Sequence, residues 1–284
     1  MRYGVNTWIW ASPLTTTTLE SLLPIVIEVG AEHLEIPLEN PGDLHYPRVA
    51  LLLKEAKLSV SICVAMGPDR DLIHPDSSVR QNAIEYLRHC IAATHALGGQ
   101  NLVGPLYSAV GRVWQMTADE RERDTTLLVA TLQTLAEEAH AQGVTLCLEP
   151  LNRFETSFVN LASQALEIVQ RVDHAGLGVM LDTFHMNIEE RNIGAAIRLV
   201  GAHLKHLHAC ENDRGAPGAG HVPWTEVNLA LEEIGYDGPV VIESFTAKVL
   251  SIARAAAIWR PLAESQDALA RDGLRFLKAL MVRE

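Results

Sequence analysis

Short apolar runs alternate with longer amphipathic stretches along the whole chain, at a spacing of roughly 30 residues. Runs at Tyr3–Trp8, His33–Pro37, Ser59–Val64 and Asn101–Gly104 predict four buried strands. Thr145–Glu149, Leu177–Asp182, Leu204–His208 and Val240–Glu243 predict four more. Helices are expected between them near Leu19–Val29, Arg48–Lys57, from the turn at Pro75 to Leu97, Ala118–Gln142, Leu161–Val172, Ile193–Val200 and Thr225–Ile234. Two more, near Leu250–Trp259 and Gln266–Val282, follow the last strand on either side of Pro261. Thr117, with Glu120 three residues on, makes a capping box for the longest helix, and Gly143 is placed to end it.

Eight strand–helix alternations with right-handed crossovers predict an α/β fold, a (β/α)8 TIM barrel. An open doubly wound sheet would usually carry a glycine-rich fingerprint after its first strand. Here that position holds Trp8, Ile9, Trp10, Ala11, Ser12 and Pro13. A length of 284 residues suits one barrel, so 1–284 is expected to be a single domain. The formal net charge of −12 argues against nucleic acid as a partner. Cys63, Cys90, Cys147 and Cys210 are widely spaced without a CxxC pair, which fits reduced thiols in the cytoplasm. The start runs straight into a strand-like segment, and no run approaches the roughly 20 apolar residues of a membrane span. No membrane partner is expected.

Each of the last four predicted strands ends on an acid or a histidine: Glu149, Asp182, His208 and Glu243. Parallel strands would project all four from one rim. A single strand-end acid serves as readily as a helix cap or in a rim ion pair, but four on consecutive strands point to convergence. Three carboxylates and one imidazole form an oxygen-rich set suited to Mn²⁺, Mg²⁺ or Co²⁺. A metal so held can chelate the vicinal oxygens of a hydroxy-ketone and stabilise the enediolate left when the adjacent carbon loses its proton. Glu149 and Glu243, one on each face, would then allow removal on one side and return on the other, which is epimerisation.

Further groups cluster in sequence near these ends. His185 follows Asp182 by three residues in the loop above strand 6, and Arg214 follows His208 by six. Glu155 lies just above Glu149, with Arg153 close enough to neutralise it; Glu211 or Asp213 would be the ordinary ion-pair partner for Arg214. The glycine-rich loop Arg214–His221 follows no Walker pattern and reads as a shaped lid over a neutral polar substrate. Trp8, Trp10, Trp114 and Phe245 lie near strand ends, where an aromatic either packs or stacks on the carbon face of a sugar.

The segments 148–155, 181–187, 206–214 and 241–245, together with 71–76 and 104–111, resemble the ketose 3-epimerases: the D-tagatose, D-psicose (allulose) and L-ribulose 3-epimerases of the xylose isomerase-like barrels. The resemblance implies one divalent metal ion, Mn²⁺ ahead of Co²⁺ or Mg²⁺, on Glu149, Asp182, His208 and Glu243. Glu149 and Glu243 double as acid and base at C3 of a free ketose. Glu155, His185 and Arg214 contact its O1–O2 end, while Trp8 and Trp114 are expected to bind substrate. A homodimer or homotetramer is implied as well. Strand 1 departs from the pattern: several members place Tyr or Phe near its end, where the sequence here runs Val5, Asn6, Thr7, Trp8, Ile9 and Trp10. On the same barrel, the alternatives are an aldose–ketose or hydroxypyruvate-type isomerase and a dehydratase of a cyclic ketose.

Overall fold

Eight short parallel strands pair in sequence order and close on themselves: β1 (Arg2–Asn6), β2 (His33–Pro37), β3 (Ser59–Cys63), β4 (Asn101–Gly104), β5 (Thr145–Leu148), β6 (Leu177–Asp182), β7 (Leu204–His208) and β8 (Pro239–Ile242). The computed structural model describes residues 1–280. Closure is the β1–β8 ladder, from Arg2 opposite Pro239 to Val5 opposite Ile242, and it sets the open-sheet alternative aside. Helices cover the outside: α1 (Thr16–Glu28), α2 (Tyr46–Ala56), α3 (Ser77–Ala96), α4 (Ala118–Ala141), α5 (Ala162–Val172), α6 (Thr183–Glu189), α7 (Ile193–Val200), α8 (Trp224–Glu233), α9 (Leu250–Ala255) and α10 (Gln266–Leu280). No helix among the described residues is long and apolar enough to cross a membrane.

Side chains alternate across each strand, so the sheet has two lined surfaces. Leu34, Ile36, Ile62, Leu146, Leu148 and Leu207 belong to the main core, between sheet and helices. Cys63, Val103, Cys147 and Met180 form a second, smaller cluster inside the barrel, roofed by Trp8 and Phe245. The other half of the interior is polar: Asn6, Glu35, Ser61, His206 and His208 are all fully buried there. All four cysteines are buried free thiols.

The expected caps are in place. Thr117 and Glu120 form the capping box of α4, and Gly143 follows the helix with φ of 71°. Strand ends differ by a residue or two. Asn6 accepts a hydrogen bond from the backbone of Trp8 at 2.8 Å, which turns the chain into a 3-10 turn over Thr7–Ile9 and ends β1 early. Glu149 and Glu243 stand one residue beyond β5 and β8. The segment after β6, expected as a loop, is helical because Asp182 caps it, its Oδ1 accepting from the Phe184 backbone at 2.8 Å. The last helix is described to Leu280; Met281 and Val282, also expected in it, lie outside the described residues.

Gly104 ends β4 with φ of 132°, where an added Cβ would stand 2.2 Å from the carbonyl oxygen of Val64. Its own carbonyl accepts from the Glu149 backbone at 3.1 Å, so this turn sets the height of that carboxylate. We expect Gly104→Ala to cost about 2–5 kcal/mol through backbone strain and overpacking, read as a lower denaturant midpoint.

Candidate active site

The period-two alternation of the strands carries their last inward positions to one rim. Glu149, Asp182, His208 and Glu243 converge there with at most 5% of any residue exposed. Above them opens a cleft of about 560 Å³, mouth included. Glu149, Glu243, Glu155, His185 and Arg214 give its polar floor and flank, and Trp8, Cys63, Val64, Val110 and Phe245 its apolar wall. The Trp8 and Phe245 ring centroids lie 5.5 Å apart, and Trp8 Nε1 donates to Glu39 at 3.0 Å.

Arg214 is the centre of charge. Its Nη1 donates to Asp182 Oδ2 and to Glu243 Oε2, both at 2.6 Å, and its guanidinium stacks on Phe184 at 4.0 Å. It therefore meets two of the expected metal acids, and neither Glu211 nor Asp213. Glu211 instead organises the glycine-rich loop, accepting from the Gly218 backbone at 2.8 Å and from Trp224 Nε1 at 2.6 Å. Asp213 pairs with Arg260, and Arg153 with Glu189 rather than Glu155. His185 is fixed by Asn152, whose backbone N–H and side-chain Nδ2 approach Nδ1 at 3.1 and 2.9 Å. Its Nε2 faces Glu149 and Asp182 at 3.8 Å and stands 3.1 Å from Arg214 Nη2, so donors approach both ring nitrogens. Asn152 Nδ2 also donates to Glu155 at 2.8 Å.

Burial and charge push the two glutamates apart. Burial raises Glu149 well above the usual carboxylate range, the nearby Glu243 and Asp182 adding to it against His208. Burial acts the same way on Glu243, but His208 and Arg214 outweigh it and hold that group below the usual value. Burial likewise raises Asp182 and Glu155, and it keeps His185 neutral, far below its ordinary value, with Arg214 and His208 acting in the same direction. Burial raises the Cys63 thiol too, with the carboxylates reinforcing it.

The donor set fits a divalent cation. Ligand atoms of Asp182, His208 and Glu243 lie within 4.8 Å of one another, as do those of Glu149, Asp182 and His185. His208 Nδ1 is buried without a hydrogen-bond partner, 3.6 Å from Glu243 Oε2 and 3.9 Å from Asp182 Oδ2. Its other nitrogen, Nε2, donates to Glu35 Oε1 at 2.6 Å. Against burial, Glu35 and Glu243 raise His208 well above its ordinary value, so the ring is charged here. Tied on one side, with its other nitrogen aimed between carboxylates, it has the arrangement of a metal ligand once that nitrogen gives up its proton.

Of the residues singled out in the sequence, Trp8 lines the cleft but Trp114 does not. Trp114 stacks on Phe158 (centroids 6.4 Å apart), carries the Arg112 guanidinium at 4.0 Å, and lines a separate cleft with Arg80 and Met116. Trp10 turns to α10, donating to Asp267 at 2.7 Å. Sequence reasoning passed over Glu35, Asn152 and His206. For Glu35 and His206 a signal exists: each is a charged or ionisable group at an inward position of an apolar strand, two residues from another histidine.

The family model described as xylose isomerase-like TIM barrel matches residues 25–280. An L-ribulose 3-epimerase of Mesorhizobium japonicum is 32% identical over 97% of this chain and 93% of its own length. A D-psicose 3-epimerase of Ruminiclostridium cellulolyticum is 38% identical over 73% of this chain and 71% of its own. Among solved structures, D-psicose 3-epimerase with D-tagatose from Clostridium cellulolyticum H10 superposes with a TM-score of 0.89 at 30% identity, covering 100% of both chains.

Acids with raised values bind protons more tightly in the metal-free fold than in the unfolded chain, so their stabilising contribution is present at low pH and lost as pH rises through those values. A bound cation requires them ionised. The gain in thermal midpoint on adding a divalent cation should therefore be several degrees larger near about pH 8 than near about pH 5.5. Glu243, shifted the other way, titrates below that window. Differential scanning fluorimetry across pH checks this; an equal gain at both ends would refute the proton–cation linkage.

Proposed function

Because this chain belongs to the ketose 3-epimerases of the xylose isomerase-like TIM barrel family, and is thus an isomerase, we propose that it inverts C3 of a free ketohexose or ketopentose by exchanging a proton between two glutamates. The observation that carries the reading is the pair Glu149 and Glu243, which reach one cleft from strands three positions apart with basicities driven in opposite directions. D-Psicose, D-tagatose and L-ribulose, named for the relatives, supply the substrate class. A phosphorylated sugar is disfavoured, since Arg214 is the one fixed cation among the lining residues and is already shared by two acids.

One carboxylate takes the C3 proton, the C–H electron pair moves toward C2, and the carbonyl becomes an enediolate. The opposite glutamate, carrying a proton, delivers it to the other face. A reversible reaction uses each in turn. A divalent cation held by Glu149, Asp182, His208 and Glu243, Mn²⁺ ahead of Co²⁺ or Mg²⁺, supplies Lewis acidity toward the sugar oxygens. His185, neutral and fixed by Asn152, lines the O1–O2 end beside Glu155 and Arg214. Trp8 and Phe245 cover the carbon face and exclude water. We place the whole chain, 1–284, in this one catalytic domain, assembled as a homodimer or homotetramer in the cytoplasm.

Incubating D-fructose, D-psicose, D-tagatose or L-ribulose with Mn²⁺-loaded enzyme in D₂O should label C3. Label at C1 or C2, the aldose–ketose outcome, or water loss, the dehydratase outcome, would overturn the reading. Glu243→Gln should lower turnover by about 10²–10⁴-fold while calorimetry finds sugar binding changed only a few-fold. Trp8→Ala should raise KM by roughly tenfold through lost stacking and burial, whereas Trp114→Ala should leave it within about twofold.

A further inference from the structure

The polar half of the barrel interior is not used by the chemistry above, yet it ends on a metal ligand. Glu35 stands on β2 and His208 on β7, 173 residues apart in sequence, and they meet at 2.6 Å across the barrel. Both are fully buried. Each Glu35 oxygen already takes other donors. Oε1 accepts from Asn6 Nδ2 at 2.9 Å as well as from His208 Nε2, and Oε2 accepts from Ser61 Oγ at 2.8 Å. His206 Nε2 also lies 2.8 Å from Oε2, an ion-pair approach whose angle is poor for a hydrogen bond.

The row continues away from the rim. Ser61 Oγ is 2.9 Å from His33 Nε2, and His33 Nδ1 is 2.8 Å from Ser59 Oγ, at the opposite mouth. Burial takes the His33 pKa down to about 3, so the ring is neutral and holds one proton. Because Ser61 gives its own proton to Glu35, His33 donates to it from Nε2 and accepts at Nδ1 from Ser59 Oγ, whose other contact, the Glu32 carbonyl, is longer at 3.2 Å. Every member of the row is thereby oriented with its donor toward the carboxylate, and the last donor is His208 Nε2–H. Nδ1, the buried and unpartnered atom facing Asp182 and Glu243, is then the nitrogen a cation would take in place of a proton.

We propose that Glu35 is a positioning residue for the metal centre: it fixes the tautomer and ring direction of His208 so that Nδ1 is presented to the cation, and the Asn6, Ser61 and His33 row holds the carboxylate in place. This rests on the reading of His208 as a metal ligand. An outer carboxylate on a ligating histidine is worth about 10- to 100-fold in metal affinity.

The test titrates Mn²⁺ into metal-stripped full-length protein by calorimetry, wild type against Glu35→Gln, which keeps the shape but removes the charge. Weaker binding by about 10- to 100-fold in Glu35→Gln, with an unchanged circular-dichroism spectrum before metal addition, is the expected result. Binding of Mn²⁺ by wild type and Glu35→Gln with equal affinity overturns the proposal and leaves the metal reading intact. Failure of wild type to bind Mn²⁺ at all overturns both. A second Mn²⁺ per chain that vanishes in Glu35→Gln also overturns it, since Glu35 would then be a ligand itself. If Glu35→Gln does not fold, nitrogen-15 NMR of the Mg²⁺-loaded wild type decides. A His208 proton on Nε2 with Nδ1 unprotonated supports the proposal, and the reverse tautomer sinks it.

Discussion

Like charges gathered out of water are the constraint around which the rest of this barrel is arranged. Glu149 and Glu243 each come within 4.8 Å of Asp182, all three at 5% exposure or less, a concentration of acids that a low-dielectric interior resists. Arg214 and His208 are what make it tolerable, the first by two short hydrogen bonds, the second by lying against two of the acids. That compensation falls unevenly: Glu149 stays raised while Glu243 is held below the usual value, so the metal-holding and proton-exchanging roles proposed for them would draw on a single electrostatic source.

Much of the surrounding structure serves to keep these groups from moving. Asp71 accepts from the Ile73 and Ala109 backbones and pairs with Arg112 at 2.6 Å, locking the loops after β3 and β4 together. Thr183 hydroxyl bridges to the Cys210 carbonyl at 2.7 Å and so ties the end of β6 to that of β7. Segments 71–76 and 104–111, part of the family resemblance, thus contribute framework rather than reacting groups. A strand-end carboxylate is only as well placed as the loops on either side of it.

The barrel was legible because periodicity and breaker residues agree along the chain: apolar runs of four to six, helices bounded by Thr117, Asp76 or Gly143, and no competing fingerprint. The four convergent residues were legible for a related reason, since strand ends in a parallel barrel share a rim. What escaped depends on contacts across the barrel. Nothing near Arg214 in sequence announces Asp182 and Glu243, 32 and 29 residues away, as its partners when Glu211 and Asp213 are adjacent. Trp114 sits beside a rim loop in sequence, yet Phe158 and Arg112 hold its ring elsewhere. The short helix after β6 depends on one aspartate oxygen, a local cap stronger than the composition of Thr183–Glu189 suggests.

The loop that carries Arg214 is crimped at both ends. Arg214 itself has φ of 67°, Gly220 could not gain a methyl without striking Glu211, and a side chain at Gly218 would run into Phe276 of α10. Insertions there would drag the guanidinium off two acids at once, so the segment is closed to drift in length. The opposite wall, built from Trp8, Val64, Val110 and Phe245, is made of plain packing side chains. Divergence toward longer, shorter or deoxygenated sugars has to be written on that wall, leaving the charged floor untouched.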